Sequence, residues 1–251
     1  MKMSAWRKVS VILLAAIPLI SWSPSSAKSP VASPEQKAPF RIGKILYEDD
    51  FRSGLGEWVP EMQKPGLVSA ANGVLDIDVP AGLTLWFRRE LHGPVMISYD
   101  ATVVSAGGPN DRVSDLNCFW MATDPSSPKD IFAHPRDGAF PSYDSLLTYY
   151  VGVGGHDNTT TRFRRYIGSQ NNRPLLPEND LASSDALLVP NRSQHIRLIA
   201  DGHIVQFYRD DKRLFELNDP APYTEGWFAI RTVKSHLQIR NLKIVQLIPS
   251  M

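Results

Sequence analysis

Residues 193–219 read SQHIRLIADGHIVQFYRDDKRLFELND, and the spacing of this stretch decides the fold. Apolar side chains recur at every second position, as in Ile196 and Leu198 or Val205 and Phe207. A period of two places them on one face of an extended strand and the intervening polar residues on the other. The alternation breaks at Asp201-Gly202 and at Asp210-Asp211, where the chain must turn. The stretch therefore predicts a ladder of hairpins.

Working outward, the same pattern returns along the chain. GLVSAANGVLDIDV (66–79) is a hairpin turning at Asn72-Gly73, a dipeptide suited to the positive φ angles of a tight turn. LTLWFRREL (83–91), PVMISYDATVV (94–104), VSDLNCFWMAT (113–123) and KILYEDDF (44–51) read as further strands. SLLTYYVGVGG (145–155) and TTTRFRRY (159–166) form a pair closed by the segment 154–158, and GWFAIRTVKSHLQIRNLKIVQLI (226–248) closes the sheet. Only PLLPENDLASSDALL (174–188) leaves room for a helical turn. Twenty prolines and sixteen glycines in 251 residues suit many turns. Antiparallel strands must bury one face against another layer, so the expected fold is all-β: a two-sheet antiparallel β-sandwich of jelly-roll type.

The first 27 residues stand apart. Lys2, Arg7 and Lys8 precede the apolar run VILLAAIPLI, and SWSPSSAKS supplies small residues for cleavage after Ala27. This is the layout of a signal peptide; the run is short for a membrane span, so no stable membrane insertion is expected once it is removed. The expected location is periplasmic or secreted. Residues 28–44 read as a flexible linker and 45–251 as the domain. Removing the three leader cations from 27 leaves 24 basic against 26 acidic residues, a net charge of −2. No basic excess remains to hold nucleic acid. The single Cys118 excludes an internal disulfide, and its apolar neighbours place it in the core.

Three stretches carry candidate chemistry. On a strand from Asp115, the side chains of Asp115, Asn117, Phe119 and Met121 share one face, so Asp115 and Asn117 could bond sugar hydroxyls from a groove. In TTTRFRRY, Arg162, Arg164 and Tyr166 share a face and Arg165 is turned away; Tyr150 faces the same groove from the neighbouring strand, and His156 and Asn158 sit in the turn. Arginine presents a fixed, permanently charged fork to a planar carboxylate, which a neutral sugar would not require. Near the C-terminus, Arg231 and His236 flank a turn, with Tyr208 and Trp227 on strands close in sequence order as aromatic platforms for a sugar ring. Solvated edge strands and core packing are the alternatives at each place, and Trp86, Trp120 and Trp227 are assigned to the core.

No HxH or HExxH pattern marks a metal and no cofactor is expected, although the acidic turns in YEDDF and NDPAP offer oxygens that suit a structural calcium. Asp76 and Asp78 have the spacing of a glycosidase pair but lie on an outer hairpin arm. Elimination from a uronic acid needs a base, a cation on the carboxylate and a proton donor for the leaving oxygen. His156, Tyr150, Asn117 and Arg164 are residues of those types, with Asp115, Asn158, Arg162, Tyr166, Tyr208, Arg231 and His236 as substrate contacts.

SDLNCFWMATDP, YYVGVGGHDNTTTRFRRY, RPLLPENDL and GWFAIRTVKSHLQIRN together resemble an uncharacterised bacterial domain family, over roughly Leu46 to Leu247. That family looks like a concanavalin A-like lectin/glucanase sandwich and is akin to YesU-type proteins of pectic polysaccharide breakdown. The resemblance carries over Asp115, Asn117, Trp120, His156, Asn158, Arg162, Arg164, Arg165, Arg231 and His236. The chain lacks the tyrosine–lysine–glycine–tyrosine strand of alginate-type lyases and the paired-glutamate strand of laminarinase-like glucanases. The expectation is a carbohydrate-active protein with an oligo- or polysaccharide partner of acidic type. It is a lyase or hydrolase; the alternative is a non-catalytic sugar-binding module.

Overall fold

A computed structural model describes residues 40–249. Residues 1–27, read as a signal peptide, and the expected linker as far as residue 39 lie outside the described residues. In chain order the strands are β1 (Phe40–Asp49), β2 (Trp58–Met62), β3 (Leu67–Ala71), β4 (Val74–Val79), β5 (Leu83–Phe87), β6 (Leu91–His92), β7 (Val95–Val103) and β8 (Leu116–Thr123). They continue with β9 (Leu147–Gly154), β10 (Thr160–Ile167), β11 (Asp180–Leu181), β12 (Ser193–Ala200), β13 (Ile204–Arg209), β14 (Lys212–Asn218), β15 (Glu225–Thr232) and β16 (Ser235–Pro249). Residues 40–44, read as linker, belong to β1, where Phe40 pairs with Pro249.

Two antiparallel sheets result, which is the expected sandwich. The first runs β14-β13-β12-β7-β16-β4-β3, with β1 also on β16; the second runs β11-β10-β9-β8-β15-β5-β2, with β6 on β15. The turns form where the sequence places them. Asn72 and Gly73 take φ of 55° and 83°, and Asp210 and Asp211 take 49° and 62°, so both hairpins close with two left-handed residues. The final segment does not close a single sheet, however. Its turn at 233–234 carries the chain from β15 in the second sheet to β16 in the first.

The inner faces meet in one core, with Tyr99, Trp120, Tyr149, Phe207 and Phe228 among its largest members. Cys118 lies in it, and burial pushes its thiol up to about 12, so it stays an inert apolar filler. Trp86 and Trp227 are buried as expected, on the outer face of the second sheet. There residues 124–146 fold back over the strands. Ile131, Tyr143 and Leu146 pack against Trp86, Phe119 and Trp227. Glu61 pins this covering segment by accepting bonds from Trp86 Nε1 at 2.8 Å, Tyr143 Oη at 2.9 Å and the Arg136 amide at 2.8 Å.

On the first sheet, His236 bridges Asp111 (3.0 Å) and Asp76 (3.2 Å) and ties the 104–111 loop to β4 and β16. Burial pulls its pKa down, but the two carboxylate bonds outweigh burial and hold it above the ordinary histidine value. Asp111 is held below its own ordinary value, first by the Ala106 and Gly108 amides. A raised histidine contributes stability that is complete below its unfolded pKa of about 6.5 and lost as pH rises through the folded value. Thermal melts should therefore show a loss of stability as pH rises from about 6.5 that His236→Gln abolishes; an unchanged pH profile in the variant would dismiss the assignment.

Candidate functional site

The β9–β10 hairpin builds the site. Its turn, Gly155–Asn158, follows Gly154 at φ 67° and holds His156, Asp157 and Asn158 at φ of 53°, 57° and 62°. Left-handed backbone costs an L-residue about 1–2 kcal/mol each, so side chains must fasten it. Asn158 does so with a two-way bond to the Leu188 backbone, at 3.0 and 2.8 Å. Asp157 accepts from Arg112 Nε at 2.5 Å, and His156 Nε2 faces Arg162 Nη1 at 2.8 Å. Because a guanidinium only donates, that imidazole nitrogen is the acceptor and the ring proton sits on Nδ1.

Beneath the turn, on the outer face of the second sheet, lies a cleft of about 600 Å³. Its floor is Tyr150 and Gly152 of β9 with Arg162 and Arg164 of β10; His156, Asp157 and Thr160 stand over one end. Loops bring Arg112, Asp115, Phe140 and Arg173 to its walls. Cross-strand register orders the floor. Gly152 lies between Arg162 and Asn117, and Asn117 pairs in turn with Arg231. One row along, Tyr150 lies between Arg164 and Phe119. Gly152 is required here, since a Cβ would stand 2.7 Å from the Tyr150 hydroxyl.

The charges are unevenly matched. Arg162 pairs with Asp180 at 2.8 Å, Arg173 with Asp144 at 3.3 Å, and Arg112 with both Asp115 and Asp157. Among the described residues Arg164 has no carboxylate within ion-pair distance; it donates to the Arg173 carbonyl. Burial is the main influence lowering its pKa, with Arg173 and Arg162 nearby acting in the same sense. Behind the wall, Arg231 is 1% exposed and equally without a carboxylate. It bonds Thr84 Oγ1 (2.7 Å) and the Gly138 carbonyl (3.1 Å), and packs 4.8 Å from the ring centres of both Phe140 and Tyr143. Its Nε and Nη2, and Asn117 Oδ1, are buried without partners. Tyr150 keeps its phenolic proton, because burial foremost, then Tyr166 and Asp115, raise its pKa well above the ordinary value.

The structure thus gathers His156, Tyr150, Asp115, Arg162 and Arg164 at one cleft and sets Asn117 and Arg231 along the row beside it. Other expected members fall elsewhere. Asn158 fastens the turn. Tyr166 shares the face of Arg164 but is fully buried against Phe119 and Tyr150. Tyr208 lies in the first sheet under the Arg197 guanidinium, and His236 lies in the first sheet with Asp76 and Asp111. Sequence order had made them neighbours of β15, but the sandwich separates them. Asp115 precedes β8 at φ 60° and does not extend it. A bulge at Met121, φ 51°, turns that side chain into the core with Trp120, so it does not share the Asn117 face. The acidic turns are occupied by protein donors: Asp49 holds Trp58 Nε1, and Asp219 holds Arg165 and Tyr149. Arg112, Arg173 and Phe140 were not singled out. Arg112 sits between the two strand stretches 94–104 and 113–123, and Arg173 opens the RPLLPENDL motif, which is where a signal lay.

Residues 77–242 match the sequence family described as Domain of unknown function (DUF6250), and the chain belongs to that family. Curated proteins give no match to the sequence. Among solved structures, the chain is similar to a protein of unknown function with a galectin-like fold from Bacillus subtilis, at 18% identity and TM-score 0.66, covering 84% of this chain and 100% of that one. It is also similar to the carbohydrate binding module CBM66 from B. subtilis, at 11% identity and TM-score 0.53, covering 76% and 97%. A third likeness is to a LamA variant from Z. galactanivorans in complex with laminaritriose and laminaritetraose, at 11% identity and TM-score 0.55, covering 82% and 100%. These likenesses establish the jelly-roll sandwich, shared by binding modules and glucanases alike.

Proposed function

We propose that this is an exported carbohydrate-active protein whose cleft holds a uronate residue of an acidic glycan and cleaves it by β-elimination. The observation that carries the reading is Arg164: a half-buried guanidinium in the cleft with no carboxylate against it among the described residues. An unmatched cation beside an aromatic floor suits a sugar ring bearing a carboxylate. The solved structures of a carbohydrate binding module and of a LamA variant in complex with laminaritriose and laminaritetraose support a saccharide as the ligand class. The YesU-type likeness of the motifs and the signal-like leader fit a periplasmic or secreted role in pectic breakdown.

In this scheme the uronate carboxylate displaces Arg162 from His156 Nε2, and that nitrogen takes the proton next to the carboxylate. The electron pair passes into the carboxylate group, where Arg164 stabilises it. The bond to the leaving glycosidic oxygen breaks, a ring double bond forms, and the Tyr150 phenol protonates that oxygen. Hydrolysis by two carboxylates is less well served, because Asp115 and Asp157 are both held by Arg112.

A panel of uronate polymers assayed for the ultraviolet absorbance of an unsaturated uronide tests the scheme. Turnover is expected on at least one, with His156→Ala lowering it by about a hundredfold or more while its thermal melt stays near wild type. Full activity in that variant removes the base assignment. A second reading, a non-catalytic module, draws on the Arg162 bond that occupies His156 Nε2. Binding with neither absorbance nor new reducing ends would favour it.

A further inference from the structure

The outline of the cleft suggests which part of a glycan it takes. A sandwich that grips the interior of a polysaccharide needs a groove along which the chain can enter and leave. Here the covering segment 124–146 lies over β15 and β5, and Trp86, Trp227 and Ala229, which would floor such a groove, are sealed beneath Ile131 and Tyr143. Across the sheet, the open floor therefore stops at Phe140, which lines the cleft and packs tilted against Tyr150 with ring centres 5.4 Å apart. Arg173 thickens that wall, its guanidinium 4.4 Å from the Phe140 ring centre. At the strand end, the Arg112–Asp157 ion pair joins two loops over the cleft. The volume of about 600 Å³ falls within the range of about 300–1,000 Å³ usual for small-ligand sites.

The polar row beside this wall is incomplete. Asn117 Oδ1 and two Arg231 nitrogens are buried and unpartnered, whereas such groups in folded proteins almost always find a hydrogen-bond partner. Asn117 adjoins Gly152 of the floor and Arg231 is one strand further on, so the row runs from Arg162 through the floor to the covered side, behind the Phe140 wall. An interior sugar, with chain continuing on both sides, cannot lie against a blind side; a terminal sugar can.

Resting on the acidic-glycan reading, we infer that the cleft is an end-recognition site that takes the terminal residue of the chain and not an internal segment. The number of protein molecules bound then follows the number of chain ends. The test uses polygalacturonate and polymannuronate, each intact and after partial acid cleavage, with binding capacity per mass of polymer measured by calorimetry. His156→Ala is run beside wild type to keep the polymers whole. Capacity per mass is expected to rise in proportion to the ends created, with one protein per chain on trimers and hexamers alike. Capacity unchanged by cleavage, or several proteins per hexamer, overturns end recognition while leaving the acidic reading standing. If uronates do not bind, intact and cleaved neutral glucans are measured in the same way. Binding there overturns the acidic reading, and its dependence on ends still decides this one; no binding to either overturns both.

Discussion

Arg164→Ala is expected to weaken binding of uronate oligosaccharides by about thirtyfold while leaving neutral oligosaccharides within about twofold. The magnitude follows from removing a charge-assisted bond of about 2 kcal/mol, with each 1.4 kcal/mol worth about tenfold in affinity. The direction follows from the surroundings. Arg112, Arg162 and Arg173 each already face a protein carboxylate, so a ligand carboxylate gains least from them. Arg164 has no such partner among the described residues, and its half-buried position limits competition from water. Truncation should leave the fold intact, because the side chain faces the cleft and its one protein bond is to the Arg173 carbonyl. Isothermal titration against paired acidic and neutral ligands measures the effect. Equal loss on both classes would mean that Arg164 shapes the cleft without reading charge. Arg164→Lys should recover only part of the affinity, since an ammonium keeps the charge but not the planar fork.

Asp219→Ala should destabilise the fold by about 3 kcal/mol or more. The Asp219 side chain is 2% exposed and accepts from Arg165 Nε and Tyr149 Oη, both at 2.7 Å, and from the Ala221 amide at 3.0 Å. Removing one member of such a buried pair leaves the other charge and its donors without compensation, which typically costs about 3–5 kcal/mol. Arg165 would retain the Ala221 carbonyl and the Tyr223 ring 4.2 Å from its guanidinium, so the lower half of that range is expected. Urea unfolding measures it. A change below about 1 kcal/mol, the scale of an exposed ion pair, would mean that the network is solvated and contributes little.

The neighbouring roles of Arg164 and Arg165 show how much a sequence discloses. Alternation alone assigns Arg162 and Arg164 to one face and Arg165 to the other, and the structure places the first two at the cleft and the third on Asp219. The hairpins at Asn72-Gly73 and Asp210-Asp211 are legible for a related reason, since their positive φ angles are demanded by the turn residues themselves. What was hidden depends on partners far along the chain. The bulge at Met121 answers Gly226 on the facing strand, where a Cβ would approach the Ala122 backbone to 2.6 Å. Tyr208 and His236 were grouped with β15 because sequence order cannot say which strands share a sheet. Arg112 and Arg173 reach the cleft from loops and Phe140 from a single 3-10 turn (Phe140–Tyr143), none of which has a periodicity to betray a facing direction. The covering segment 124–146 was likewise invisible as such, yet it decides where the open face ends.

A crystal structure of the His156→Ala variant soaked with a uronate trisaccharide would show whether the cleft holds a sugar carboxylate on Arg164. The carboxylate of one sugar is predicted to lie in hydrogen-bond distance of Arg164, with that ring over Tyr150 and the chain leaving the cleft on the side away from Phe140. A trisaccharide bound elsewhere on the sandwich, or seated in the cleft with its carboxylates turned to solvent and Arg164 unengaged, would contradict it.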